Sequence, residues 1–131
     1  MTVDNTGPAV YLKQADRFVD IMRGVASAVA LDYSIKSVNS LEEWIRDRFD
    51  PPGTQYVPDS LLVDLGSYIG EVIIRTIGGH WNSSGNAEIN DVCRIEAVFP
   101  IQKVRKRFAN GIEDSLDYYI RAIQQIATEA D

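Results

Sequence analysis

Apolar positions along this chain recur at three- and four-residue spacing in its first half. They switch to alternation after residue 79 and then return to the helical spacing. Tyr11, Ala15, Phe18, Met22, Val25 and Val29 form one such stripe, which predicts a first helix from about Pro8 to Ala30. Gly24 within it costs about 1 kcal/mol relative to Ala and is read as room for a close crossing with another helix. Leu31-Asp32-Tyr33-Ser34 breaks the pattern. Ser34 suits an N-cap, because its hydroxyl can accept a free amide of the first turn. Ile35, Val38, Leu41, Ile45 and Phe49, with Trp44 beside them, make a second helix. Ser40 to Glu43 also fits a capping box, so a start about one turn later is an alternative. Pro51-Pro52-Gly53 cannot continue a helix, which leaves residues 51–58 as an ordered loop or an exposed flap.

The third helix is expected to be capped by Asp59 or Ser60 and to reach about Ile77. At 100° per residue its apolar side chains cover most of the circumference. Polar groups are confined mainly to the stripe Ser60, Asp64, Ser67, Glu71 and Arg75. A helix with so narrow a polar face is expected at the centre of the fold. Gly66 and Gly70 lie on its apolar side, where a neighbouring backbone can approach. Gly78-Gly79 offers a left-handed termination.

Beyond it, residues 80–82 and about 87–99 read as strands joined by the turn-forming run Asn82-Ser83-Ser84-Gly85-Asn86. The second run is expected to split at Asn90-Asp91 if it forms two strands. Arg94, Glu96 and Val98 fall on one face, and Cys93, Ile95, Ala97 and Phe99 on the other. A short basic helix over 101–109, a turn at Asn110-Gly111 and a last helix over 112–127 complete the chain. The stripe of that last helix is Ile112, Leu116, Tyr119, Ile120, Ile123 and Ile126. The expected fold is α+β: about five helices around a small antiparallel sheet of two to three strands, in one domain spanning 1–131, with residues 1–8 flexible.

Composition narrows the chemistry. A chain of 131 residues with 45% hydrophobic and 24% charged residues suits one soluble domain. No apolar run reaches membrane-spanning length, and Met1-Thr2-Val3-Asp4-Asn5 lacks the layout of a signal peptide. The single cysteine, Cys93, cannot form an internal disulfide, so a reducing cytoplasm is the expected compartment. The net charge of −6 argues against a general nucleic-acid binder. Lys103, Arg105, Lys106 and Arg107 form the one basic run, read as a solvated helix face or as a patch that guides a partner or a second subunit.

His80 is the only histidine, so any catalytic triad would need it, yet no Gly-x-Ser-x-Gly elbow is present. A dyad with Cys93 is weaker still, because a lone cysteine in an alternating strand reads as a small buried apolar residue. One His and one Cys make no zinc site by themselves, and no phosphate loop or EF-hand occurs, so neither metal nor cofactor is expected. Asp64 and Glu71 share a helix face about 10 Å apart along the axis. Glu71 also precedes Arg75 by four residues, which favours a structural ion pair. The two tryptophans are read as core, and Tyr118 as exposed or at a boundary.

Leu65-Gly66-Ser67-Tyr68-Ile69-Gly70-Glu71, Gly78-Gly79-His80-Trp81, Phe99-Pro100 and Lys103-Val104-Arg105-Lys106-Arg107 occur in this order. With Leu31-Asp32-Tyr33-Ser34, the chain resembles small bacterial cytoplasmic proteins of uncharacterised function, in which a Leu-Gly-x-x-x-Gly-Glu helix precedes Gly-Gly-x-Trp. The resemblance covers most of residues 15–125 and implies no cofactor or reaction. Some similar small acidic proteins are encoded beside secreted toxins and neutralise them.

Three functions follow as expectations. The first is a non-enzymatic binding protein, of the toxin-neutralising or immunity type, meeting a basic protein through Glu42, Glu43, Asp47, Asp50 and Tyr56. The second is a ligand-binding or enzymatic cleft near Glu71, His80 and Trp81. The third is a subunit that self-associates through the basic helix and the acidic remainder.

Overall fold

The structure, a computed structural model, describes residues 8–83 and 86–129. Five helices and a three-stranded sheet follow one another in the expected order: α1 (Pro8–Val25), α2 (Ile35–Phe49), α3 (Asp59–Thr76), β1 (His80–Trp81), β2 (Ile89–Val92), β3 (Ile95–Val98), α4 (Pro100–Asn110) and α5 (Leu116–Glu129). A 3₁₀ turn, Ile112–Asp114, links the last two helices. The sheet is an antiparallel meander in the order β1-β2-β3. Trp81 pairs with Ile89, and Ile89 in turn pairs with Val98. Flexibility is expected of residues 1–8; residues 1–7 lie outside the described residues, and Pro8 is the first residue of α1.

Helix α3 packs most closely against α1 and α4, while α5 packs on α2. Leu65, Tyr68, Ile69, Val72 and Ile73 are all buried. Its two glycines mark its closest neighbours. A Cβ on Gly66 would stand 2.5 Å from the Ile101 Cα of α4, and one on Gly70 would collide with the Trp81 ring. Ser60 and Arg75, at the ends of the polar stripe of α3, are exposed, but Asp64, Ser67 and Glu71 in its middle are buried. Asp64 receives a bidentate hydrogen bond from Arg17 of α1, at 2.8 and 2.6 Å, and Ser67 donates to Gln14 at 2.8 Å. Buried carboxylates need such partners, and here they hold α1 against α3.

Several boundaries differ from the expectations, each for a local reason. Helix α1 ends at Val25, and the chain turns through 26–30. That turn brings Ala26 into the core and leaves Val25 in solvent. Gly24 is no crossing point, because nothing lies within 4 Å of where its Cβ would be. Helix α2 starts at the Ser34 cap, whose hydroxyl accepts the Ser37 N–H at 3.1 Å. Pro58, not Asp59, precedes α3, so Asp59 is its first residue and adds negative charge to its first turn.

The strand break falls at Cys93-Arg94 instead of Asn90-Asp91. Asp91 and Cys93 both take positive φ, 62° and 54°. This disturbs the two-residue alternation, so Val92 and Val98 are buried while Cys93 and Phe99 are exposed. Ile112 belongs to the 3₁₀ turn and is exposed. Ile126 of α5 is exposed as well, and Tyr118 is exposed as expected.

The glycines give a direct test. Gly66→Ala and Gly70→Ala are each expected to destabilise the fold by about 1–3 kcal/mol through overpacking. Gly24→Ala is expected to stabilise it by about 0.5–1 kcal/mol through helix propensity. Urea midpoints at constant m-value measure all three.

Candidate functional site

The Trp81 ring can lie against α3 because Gly70 has no side chain. Its indole N–H donates to Glu71 at 2.8 Å, and its ring stacks on Tyr11 with centroids 4.1 Å apart. Arg75 approaches the other Glu71 oxygen at 3.5 Å, the i,i+4 pair that the spacing predicts. The Arg75 guanidinium also caps the Tyr33 ring at 3.7 Å. Tyr33 takes φ 63° and stacks on Tyr68, with its backbone N–H donating to the Tyr68 hydroxyl at 3.0 Å. Burial, then the hydrogen bond to Asp16, pushes the Tyr33 phenol well above its ordinary range.

His80, Trp81 and Glu71 do not converge on one cleft. Successive residues of a strand face opposite ways, so burying Trp81 turns His80 outward. There the imidazole sits 3.5 Å from the exposed Asp91 carboxylate. Five surface depressions, about 190 to 370 Å³ in volume, are lined by other residues. No group of three or more His, Cys, Asp or Glu residues placed to hold a metal ion occurs among the described residues.

The residues proposed for partner binding separate into two sets. Glu43 and Asp47 lie on the outer face of α2 and are exposed, and Tyr56 is 88% exposed in the loop that follows. Glu42 is not a surface residue. It is fully buried together with Arg107. Arg107 donates from Nε and Nη2 to Glu42 at 2.9 and 2.8 Å, and from Nη1 and Nη2 to Asp50 at 2.9 and 2.7 Å. The remaining Glu42 capacity accepts the Leu116 N–H at 2.8 Å, at the start of α5. That places a negative charge where a helix N-terminus favours one. Arg46 stands 3.4 Å from the same carboxylate.

Burial works against the Arg107 charge, but the hydrogen bonds to Asp50 and Glu42 outweigh it and hold the guanidinium protonated. Those same bonds hold the Asp50 carboxyl below the usual carboxylate range.

The basic run is therefore not one exposed patch. Arg107 is internal. Lys103 is bonded to Asp114 at 2.9 Å, and Arg105 is doubly bonded to Asp59 at 3.0 Å. Lys106 is exposed and enters no ion pair among the described residues. Sequence reasoning missed the Glu42–Arg107–Asp50 cluster because its members lie 57 and 65 residues apart. A signal was present: Glu42 sits on the stripe Val38, Leu41, Ile45, and Arg107 follows Val104 by three residues.

The loop 51–58 is fastened at several points. Asp50 anchors its start. The Gln55 amide donates to the Arg48 carbonyl at 3.0 Å, Thr54 donates to the Phe49 carbonyl at 3.4 Å, and Pro52 packs over Gly111. No helix among the described residues is long and apolar enough to cross a membrane. No family model, curated protein or solved structure matches the chain significantly.

Removing one partner of a buried pair strands the other charge. Arg107→Met is expected to cost about 3–5 kcal/mol. Adding Glu42→Gln to it should cost less than the two single changes summed, as a denaturation double-mutant cycle would show. A loss below about 1 kcal/mol for Arg107→Met would remove the cluster's structural role.

A second test uses pH. A carboxyl whose pKa is lowered on folding stabilises the fold above its unfolded pKa of about 3.9, and that stability is lost as pH falls through the folded value. Asp50→Asn should therefore flatten the decline of the urea midpoint below about pH 4.

Proposed function

We propose that this chain is a non-enzymatic binding protein that meets another protein through loop 51–58 and the outer face of α2. The observation that carries this reading is Tyr56: a large aromatic side chain, 88% exposed, on a loop fastened just before it at Asp50, Thr54 and Gln55. Tyrosine is among the residues that dominate interface energies. An anchor on a preorganised loop loses little entropy on binding.

Glu43 and Asp47 share the exposed side of α2 with Arg46 and Arg48. Glu43 and Asp47 have no ion pair among the described residues, and the chain carries −6 overall. A basic partner is favoured by charge complementarity, and steering of this kind acts mainly on association rate. A toxin with a basic active-site rim, neutralised by occlusion, fits this description.

The cleft reading has less to support it. Glu71 and Trp81 satisfy each other inside the fold, and His80 lies on the other side of the sheet. Self-association through the basic helix loses most of its charge basis, because Arg105 and Lys103 are engaged internally and Arg107 is buried.

Affinity capture from the native host tests the proposal. The wild-type chain should retain a basic protein, and Tyr56→Ala should weaken that complex at least tenfold, a loss of about 1.4 kcal/mol or more. Glu43→Lys with Asp47→Lys should slow association and reduce its salt dependence. Recovery of the same proteins in the same amounts by all variants would overturn it.

A further inference from the structure

We propose that Asn110 is a site of spontaneous covalent modification: its side-chain amide is lost to the Gly111 backbone nitrogen through a cyclic imide, at a rate set by opening of the last turn of α4. The chemistry needs no partner protein.

Asn110-Gly111 is the one Asn-Gly pair in the sequence. A following glycine has no side chain to shield its nitrogen from the asparagine Cγ. The fold needs that glycine. Gly111 takes φ 90° and ψ −153°, a region essentially closed to residues with a Cβ. A Cβ there would also stand 3.1 Å from Pro52 Cγ. Backbone geometry thus fixes beside Asn110 the neighbour that protects it least. Asn110 itself is exposed.

The atoms balance with water as the co-reactant. Hydroxide takes the Gly111 amide proton, and the nitrogen attacks Cγ of Asn110. The new N–Cγ bond closes a five-membered imide. The Cγ–Nδ2 bond breaks, and Nδ2 takes one proton from water and leaves as ammonia, which restores the hydroxide. Water then opens the ring. Cleavage at Cγ leaves aspartate. Cleavage at the backbone carbonyl leaves isoaspartate, whose main chain runs through the former side chain. Nothing is oxidised or reduced.

Two hydrogen bonds hold the reaction back in the fold. The Gly111 N–H donates to the Arg107 carbonyl at 3.0 Å, and Asn110 Nδ2 donates to Asp114 at 2.8 Å. Gly111 is buried, and Asn110 is the last residue of α4. In a helical residue the next nitrogen is turned out of the plane that the imide requires. Ring closure therefore waits for this turn to open locally. Arg107, whose carbonyl holds Gly111, is itself fixed by Glu42 and Asp50, so the brake belongs to the same cluster. In either product a carboxylate replaces the amide that Asp114 accepts from.

Incubation of the full chain at mildly alkaline pH tests this, folded in buffer and unfolded in urea. Conversion is read on the tryptic fragment 108–121, by mass and by chromatographic separation of the two products. In urea Asn110 should convert ahead of Asn39 and Asn82, which precede serines. The folded chain should convert at least about tenfold more slowly. Gly111→Ala, compared in urea where its folding does not matter, should slow conversion at least about tenfold. In the folded state Asp114→Ala should speed conversion at least about threefold by freeing the Asn110 amide. If that variant fails to fold, the wild-type chain in sub-denaturing urea takes its place: conversion should rise in step with hydrogen exchange of the Gly111 amide.

Conversion of Asn110 behind Asn39 or Asn82 in urea, equal rates in the folded and unfolded chains, or an undiminished rate in Gly111→Ala would each overturn the proposal. So would conversion in the folded chain that ignores Asp114→Ala or, where that variant does not fold, the exchange of the Gly111 amide.

Discussion

The fold depends on one buried guanidinium. Arg107 stands inside the protein with Glu42 and Asp50 around it, and through them it joins α4 to both ends of the C-terminal half of α2. A cation in that position is tolerated when carboxylates pair with it at close range, because desolvation is costly and an unpaired charge costs more. The requirement makes the cluster selective: α4 can dock on α2 only where both carboxylates are reached. The Leu116 N–H on Glu42 extends the constraint to α5. Asp50 passes it to the loop that displays Tyr56.

A second group of polar contacts organises the other half. Asp64, Ser67 and Glu71 run down one side of α3, and each is taken by a neighbour: Arg17, Gln14, and Trp81 with Arg75. With both glycines of α3 under Ile101 and Trp81, the helix is enclosed on its polar and apolar sides alike. The groups that elsewhere would serve chemistry are consumed here by assembly. On the outside lie Tyr56, on its tethered loop, and the exposed Glu43 and Asp47 of α2, which enter no ion pair among the described residues.

Much of this architecture was legible in the chain. The Ser34 cap, the Pro51-Pro52-Gly53 stop and the helical spacing in α2 and α3 are local features, and the structure follows them. So are the close approaches at Gly66 and Gly70, since a glycine on an apolar helix face has few other uses. The β2–β3 turn was misplaced by three residues, because Asn90-Asp91 has stronger turn chemistry than Cys93-Arg94. Pairing of Val92 with Ile95 and of Ile89 with Val98 overrides that local preference.

The candidate site was read less well. Glu42, Asp50 and Arg107 look like surface charges wherever one considers the chain alone, although Glu42 and Arg107 occupy core positions of their helices. By itself the sequence determined the α+β element order, the burial of α3 and the exposure of Tyr56 and Tyr118, all consequences of short-range periodicity and turn chemistry. Only the tertiary structure decided which charges are internal and which carboxylates stay unpaired. It also decided that Trp81 and Glu71 satisfy each other while His80 faces away. The reason is physical: a charge's environment is set by residues tens of positions distant, and only packing brings them within hydrogen-bond reach.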